Sequence, residues 1–114
     1  MRLIGKSKLE KLRRKNRGNQ MLTKAIDKLI KDIEDNDWKN EDEFYETIVS
    51  ADKVHSDGFY FIDISIHRTL VLIEFDDEGE ATIVWVGNHQ EYETVFKNNK
   101  NTIRKWLRSN EFIK

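Results

Sequence analysis

The sequence predicts an α+β fold, in which a short N-terminal strand and two helices pack with a mostly antiparallel sheet of three to four strands, followed by a C-terminal helix. Apolar residues are spaced as in helices in the first half of the chain and alternate as in strands beyond residue 53. The 114 residues are 38% hydrophobic and 11% aromatic, which suffices for one core. The chain has no proline, repeat or low-complexity linker to mark an internal boundary. We therefore expect one domain.

The N-terminal segment predicts a strand at residues 1–4 and a basic helix at about residues 8–17. Ser7 and Glu10 have the spacing of a capping box, and Gly18 is suited to a left-handed helix stop. Two leucines are the apolar residues of this helix. Its basic side chains therefore cover an arc too wide to be explained by packing.

The second helix is predicted from the clearest periodic segment of the chain. Its apolar residues lie three or four positions apart, on one helical face: Leu22, Ala25, Ile26, Leu29, Ile30 and Ile33. A polar break at residues 35–37 ends this helix. Asn40 and Glu43 are then expected to cap a short helical turn.

Three strands and two further helical segments are predicted from residue 59 onward. Residues 59–66 alternate in polarity, whereas residues 69–75 form the nearly continuous apolar run of a strand covered on both faces. Residues 81–86 predict the third strand, after a hairpin loop at residues 76–79 in which Gly79 is expected to take a positive φ. The helical segments are predicted at residues 92–97 and 102–107.

The net charge of −1 conceals a strong asymmetry along the chain. Residues 1–31 carry eleven Lys and Arg against two Asp and Glu, residues 32–80 carry three against sixteen, and residues 81–114 carry six against three. This pattern indicates a polyanion-binding surface built from the two basic ends, with the acidic middle facing elsewhere or facing a basic partner. The alternative is that the blocks simply neutralise each other in the fold.

Several chemistries are excluded or disfavoured by composition. The absence of cysteine excludes disulfides, thiolate chemistry and cysteine-ligated zinc. The histidines are His55, in a predicted turn at residues 54–58, and His67 and His89, so neither a structural metal nor a cofactor is expected. No segment is long and apolar enough to span a membrane, and the first residues lack the features of a signal peptide. We expect a soluble, cytoplasmic protein.

Several local patterns resemble the HigB group of the RelE-like toxins. They are Met-Arg-Leu-Ile at 1–4, Phe-Tyr-Phe-Ile-Asp-Ile at 59–64, His-Arg at 67–68 with Leu-Val-Leu-Ile at 70–73, and Val-Trp-Val-Gly-Asn-His-Gln-Glu-Tyr-Glu at 84–93. The last is the most specific, because the usual family form is Thr-His-x-x-Tyr followed by an acid. Here Asn88 replaces the threonine and keeps a short polar side chain. The resemblance implies a RelE-like toxin domain at residues 1–97, with residues 98–114 as a C-terminal helical extension of the same domain.

The resemblance also implies the toxin of a type II toxin–antitoxin system that cleaves mRNA on the ribosome without a metal. In that reaction the ribose 2′-hydroxyl attacks the adjacent phosphate and expels the 5′-oxygen. It needs a base, an acid and a cation that stabilises the added negative charge. The implied partners are mRNA, the ribosome and a cognate antitoxin, commonly with a helix-turn-helix domain. Homo- and hetero-oligomers both remain open, and no membrane is involved.

Three residues are the catalytic candidates within this resemblance. Arg68 matches a strand arginine of the family and offers a bidentate donor to phosphate, or alternatively pairs with the acidic middle block. His89 follows the last strand and suits proton transfer at neutral pH, or alternatively fixes the exit of that strand. Tyr92 comes onto the same side as His89 if a helical turn follows, where it stacks on a base, donates its hydroxyl or closes the core. His67 ranks lower, because strand alternation turns it away from Arg68.

The basic residues of the first helix are interpreted as an RNA- and ribosome-binding patch that grips the phosphate backbone: Lys8, Lys11, Arg13, Arg14, Lys15 and Arg17. Such contacts give sequence-independent affinity that falls with salt. The second hypothesis is a non-catalytic module of the same fold that holds RNA or an acidic protein with this helix. A third is a structural subunit whose acidic segment, residues 32–80, docks to a basic partner.

Overall fold

The computed structural model describes residues 1–76 and 78–114. In chain order its elements are β1 (Arg2–Ile4), α1 (Lys6–Lys15), α2 (Gln20–Asp35), α3 (Glu41–Thr47), β2 (Asp52–His55), β3 (Phe59–Ile64), β4 (His67–Glu74), β5 (Glu80–Asn88), α4 (His89–Phe96) and α5 (Lys100–Ser109). The strands form one sheet in the order β1-β5-β4-β3-β2. β1 runs parallel to β5, and the other neighbouring pairs are antiparallel. The predicted α+β class with a mostly antiparallel sheet is confirmed.

The sheet gains its fifth strand from residues 52–55, part of which was predicted to be a turn. β2 pairs with β3, and Val54 is buried against the core that α5 covers. One buried side chain in a polar stretch is a weak strand signal, which explains the error. The turn itself is confined to the residues just before β3, where Gly58 has a φ of 98°.

The start of α1 differs from the prediction. The helix begins at Lys6 after Gly5, whose φ is 82°, and no side chain caps it, so the predicted capping box of Ser7 and Glu10 does not form. A Cβ at Gly5 would lie 2.9 Å from the backbone oxygen of Ile83 in β5. The close approach of β5 thus requires glycine here, and the chain turns into the helix before Ser7 is reached.

The end of α1 also differs, because the helix stops at Lys15 and Gly18 does not take a positive φ. The side-chain amide of Asn16 donates to the carbonyl of Leu12 at 2.9 Å, which ends the helix with a polar side chain instead. Asn19 then caps α2 by accepting from the amide of Leu22 at 3.0 Å. Asn16 therefore ends α1 and Asn19 begins α2, whereas the sequence predicted that Gly18 would end α1.

Helices cover both faces of the sheet. On one face, here called the α1–α2 face, the predicted apolar stripe of α2 is buried, apart from the partly buried Ala25, against the inward side chains of β3, β4 and β5. On the opposite face, the α4–α5 face, Ile103 and Leu107 of α5 pack with Phe61 and Leu70 of the sheet. β4 lies between the two layers, which accounts for its apolar run. The cap of the short helix α3 by Asn40, accepting from the amide of Glu43, is confirmed.

The loop between β4 and β5 fits its prediction where the structure describes it. Gly79 has a φ of 45°, as expected, and Asp77 of the predicted loop lies outside the described residues. At the other end of β5, the outer edge of the strand is open to α1. β1 pairs with β5 through Glu80, Ala81 and Thr82, and beyond Thr82 no strand of the described chain pairs with this edge.

Candidate functional site

The candidate site lies at the end of the sheet where β4 begins and β5 ends. His67 pairs with Asn88, and Arg68 pairs with Gly87. Because side chains alternate along a strand, the neighbouring His67 and Arg68 serve opposite faces. Arg68 lies on the α4–α5 face, beside Tyr92 of α4, and His67 lies on the α1–α2 face. The candidate site therefore has one part on each face of the sheet, with Arg68 on the α4–α5 face and His67 on the α1–α2 face.

On the α4–α5 face, Arg68 forms a charge-paired cluster with Asp63 and Tyr92, here called the arginine cluster. The guanidinium Nε donates to the Asp63 carboxylate at 2.9 Å, and the guanidinium carbon lies 4.6 Å from the centroid of the Tyr92 ring. The pairing with an acid of the middle block, one of the two roles expected for Arg68, is thus present. Since guanidinium has five N–H groups, the bond to Asp63 leaves others for a ligand.

Tyr92 is a buried core residue that supports Arg68. Its ring packs edge-on against Phe61 at 5.0 Å between centroids, and its hydroxyl donates to the side-chain oxygen of Asn98 at 2.9 Å. Burial raises the pKa of the Tyr92 hydroxyl, an effect that the nearby Arg68 charge opposes. The hydroxyl therefore keeps its proton at neutral pH, and the ring closes the core, as in the last of the roles expected for it.

His89 is the first residue of α4 and is exposed. The turn that holds it is fixed by a capping box, in which Asn88 accepts from the amide of Glu91 at 2.8 Å and the Glu91 carboxylate accepts from the amide of Asn88 at 3.0 Å. Asn88 thus fills the capping role at this turn. No hydrogen bond joins His89 to Arg68 in the described chain, whereas the charge of His89 acts on the pKa of His67.

On the α1–α2 face, a cleft of about 500 Å³ opens between α1 and the outer edge of β5. One wall carries three lysines spaced along one face of α1, and we call this space the lysine cleft: Lys8, Lys11 and Lys15. The opposite wall contains His67, Asn88 and Glu91. Among the described residues none of the three lysines has an ion-pair partner, so the cleft presents unpaired positive charge beside one carboxylate.

His67, which the sequence analysis ranked below Arg68, lies in the wall of the lysine cleft. The residue is 7% exposed, and its buried Nδ1 has no hydrogen-bond partner in the described structure. Leaving such a group unsatisfied costs about 1–3 kcal/mol. Burial lowers the pKa of His67, while Glu91 raises it and His89 lowers it, so the imidazole is neutral at pH 7. The strand alternation that turns His67 away from Arg68 also places it on the face of the sheet that α1 covers, and this position could be inferred from the sequence.

The six basic residues expected to form one patch are divided by the helix. Lys8, Lys11 and Lys15 line the cleft, but Arg13 lies on the other side of α1 and pairs with Asp27 of α2. Arg14 is exposed on α1, and Arg17 is exposed in the turn after it. Asp27 belongs to the same N-terminal block as Arg13, so this pair is not a neutralisation between blocks. The cleft lysines are not among the residues that make the ion pairs between the basic and the acidic block in the described chain: Arg2 with Glu80, Lys6 with Glu34, Lys28 with Asp32 and Lys31 with Asp35.

Two general features complete the description. Among the described residues, no cluster of histidine and acidic side chains is arranged to hold a metal ion. No helix in the described part of the chain has the length and apolar character needed to cross a membrane.

A family model described as HigB_toxin, RelE-like toxic component of a toxin–antitoxin system, matches residues 22–95. This span includes Arg68, His89 and Tyr92, whereas β1 and α1 with the cleft lysines precede it. No curated protein matches the chain.

Proposed function

Because this chain belongs to the HigB family of RelE-like toxins, the toxic components of toxin–antitoxin systems, we propose that it is a ribosome-dependent mRNA endoribonuclease that inhibits translation. The family implies an antitoxin partner, for which we propose the helix-turn-helix type. The proposal places the toxin in the cytoplasm, where translating ribosomes are found.

The observation that best supports this function is the concentration of cationic and proton-transfer groups at one end of the sheet. Arg68 and His89 lie at the start of β4 and just after β5, and the lysine cleft adjoins them. RNA cleavage by its own 2′-hydroxyl needs such groups, because negative charge develops on the phosphate while protons move at two oxygens.

In the proposed reaction, a base takes the proton of the 2′-hydroxyl, and the oxygen forms a bond to the adjacent phosphorus. The bond from phosphorus to the 5′-oxygen breaks, and that oxygen receives a proton, which leaves a 2′,3′-cyclic phosphate. Arg68 stabilises the phosphate with its remaining N–H groups. His89 serves in proton transfer, since it is exposed and held by a rigid cap. Tyr92 positions Arg68 through the ring contact.

The basic residues of α1 hold the RNA and the ribosome in this proposal. Lys8, Lys11 and Lys15 provide direct phosphate contacts from the cleft, and Arg14 and Arg17 extend the exposed basic surface. Arg13 contributes through its pairing with Asp27, which ties α1 to α2.

The experiment that tests the function is mRNA cleavage in a purified translation system, with the full chain added. We expect the natural sequence to cut translated mRNA, and Arg68→Ala with His89→Ala to reduce the cleavage rate about 100-fold or more. Lys24→Ala, which removes an exposed lysine of α2, is the matched control and should cut normally. Intact mRNA with the natural sequence would contradict the function, and normal cutting by the double variant would contradict the site.

A non-catalytic RNA-binding module is the second candidate. It is favoured because Arg68 is already bound to Asp63 and packed on Tyr92 within the protein, whereas the lysines of the cleft have no ion-pair partner among the described residues. This function predicts salt-sensitive RNA binding without cut RNA, and expression in cells without growth arrest. Growth arrest that a neighbouring encoded protein relieves would instead support the toxin.

A further inference from the structure

The lysine cleft has the features of a built ligand site and not only of a charged surface. Its volume of about 500 Å³ falls within the range of about 300–1,000 Å³ that small-molecule sites occupy. One wall is cationic, and the facing wall contains a histidine that is 7% exposed and whose Nδ1 lacks a partner. A phosphate-bearing ligand with a hydrogen-bonding ring complements both walls at once.

We propose that the lysine cleft is a subsite for one nucleotide of RNA, in which the α1 lysines hold the phosphate and His67 hydrogen-bonds the base. The choice of RNA as the ligand rests on the proposed function. The cleft is built jointly by α1, which precedes the family match, and by β4, β5 and α4 within it.

The charge of the cleft selects a phosphate. Lys8, Lys11 and Lys15 span about 10.5 Å along the helix axis, so adjacent ammonium groups can share one phosphate or follow the backbone to the next. Glu91 is the acid that lines the cleft, and its carboxylate is already engaged as the cap of α4. The cleft therefore keeps net positive charge.

His67 provides the contact to the base. A neutral imidazole has one donor and one acceptor nitrogen, and a nitrogen of either kind can pair with the edge of an RNA base. The burial that lowers the pKa of His67 keeps the ring neutral at pH 7, so it acts as a hydrogen-bonding group and not as another cation. Because His67 lines the cleft, its ring is the hydrogen-bonding side chain that a bound base meets on this wall.

The test is nuclear magnetic resonance of the histidine side chains in the full chain, titrated with the four nucleoside 5′-monophosphates and with inorganic phosphate. We expect at least one monophosphate to shift the His67 ring signals along a saturable curve. Inorganic phosphate should bind more weakly and shift His67 less. Nucleotides that leave the His67 signals unmoved would overturn the subsite, and this result needs no variant protein.

Variants then separate the two halves of the subsite. His67→Phe keeps the ring volume but removes the hydrogen bond, and should weaken nucleotide binding about fivefold while leaving phosphate binding unchanged. His67→Gln, which retains hydrogen-bonding groups, checks that a loss reflects the contact and not the fold. Lys11→Ala with Lys15→Ala should weaken both ligands, and Lys24→Ala should weaken neither. Equal nucleotide affinity of His67→Phe and the natural sequence would overturn the base contact.

Failure of this inference is distinguishable from failure of the proposed function. If the chain cuts mRNA but binds no mononucleotide at His67, the proposed nuclease function stands and the proposed subsite is refuted. If the chain binds the mononucleotide at His67 but cuts no mRNA, the proposed subsite stands and the proposed nuclease function is refuted.

Discussion

The arginine cluster and the lysine cleft lie on opposite faces of the same sheet end, and they differ in how their charges are paired. In the arginine cluster, Arg68 is bound by Asp63 and covers the ring of Tyr92. In the lysine cleft, three ammonium groups face one carboxylate, and no ion pair of the described chain involves them. One side is thus electrostatically satisfied before any ligand arrives, and the other is not.

The difference indicates which side is arranged for a ligand at the expense of stability. A partly exposed ion pair such as Arg68 with Asp63 contributes about 0–1 kcal/mol to folding. Like charges at i,i+3 and i,i+4 on a helix destabilise it by about 0.2–0.5 kcal/mol per pair, and the spacing of Lys8, Lys11 and Lys15 provides both. The lysine cleft is therefore better explained by binding than by folding, whereas the contacts of the arginine cluster contribute to folding and the proposed function adds a phosphate contact to them.

The largest expected effect is the loss of mRNA cleavage when the arginine cluster is disrupted. Arg68→Ala should lower the rate of mRNA cleavage about 100-fold or more while changing the free energy of unfolding by less than about 1 kcal/mol. Asp63→Asn removes the competing carboxylate and leaves the guanidinium, so it should cause a much smaller loss. Rates in the translation system and urea denaturation measure the two quantities. An equal loss of activity in both variants would show that the ion pair, and not the cation, is what matters.

The next-largest effect is expected from a change in packing at Gly87, which pairs with Arg68 and also lines the lysine cleft. A Cβ at Gly87 would lie 2.5 Å from the Trp85 ring, so Gly87→Ala must displace the indole and should reduce the free energy of unfolding by about 1–3 kcal/mol. Gly18 has no atom near its Cβ position and no positive φ, so Gly18→Ala is the control and should be neutral or slightly stabilising. Urea denaturation distinguishes them, and similar stabilities of the two variants would refute the close packing.

The smallest effect is a pH dependence on the lysine side. Because burial lowers the pKa of His67, the unfolded chain binds its proton more readily, and the free energy of unfolding should fall as the pH drops below about 6.5. The slope from one proton is at most about 1.4 kcal/mol per pH unit. His67→Gln should flatten this part of the profile in urea denaturation between pH 5 and 7.5. His89 also lowers the pKa of His67 and Glu91 raises it, so His89→Ala should weaken the dependence. An unchanged profile in His67→Gln would assign the dependence to other groups.

The elements with strong periodicity were predictable from the sequence, and those set by one contact were not. The buried face of α2 and the two-sided burial of β4 follow from their apolar patterns. β2 was missed because Val54 is its one buried residue, and the start of α1 was misplaced because a positive-φ glycine overrides a capping sequence. The contact between Gly5 and β5 joins residues far apart in the chain, so local sequence patterns do not reveal it.

The candidate site was predictable as a set of residues but not as an arrangement. Strand alternation correctly separated His67 from Arg68, yet His67 was ranked low because one shared pocket was assumed. Helical periodicity separates Arg13 from the cleft lysines, but its pairing with Asp27 depends on how α1 and α2 pack. The partners of charged side chains are set by tertiary contacts, which the sequence does not display.

The salt dependence of RNA affinity tests most directly whether the unpaired lysines hold the RNA. Binding of a single-stranded RNA oligonucleotide by the full chain would be measured by fluorescence anisotropy over a range of salt concentrations. Affinity falls as salt rises, and replacing Lys8, Lys11 and Lys15 with alanine should make this dependence weaker. The slope of log affinity against log salt should become less negative by about two, as expected for about 0.7 per lost phosphate contact. Arg13→Ala with Asp27→Ala removes an already paired charge and should leave the slope unchanged. An unchanged slope in the triple lysine variant would contradict the assignment of RNA to the lysine cleft.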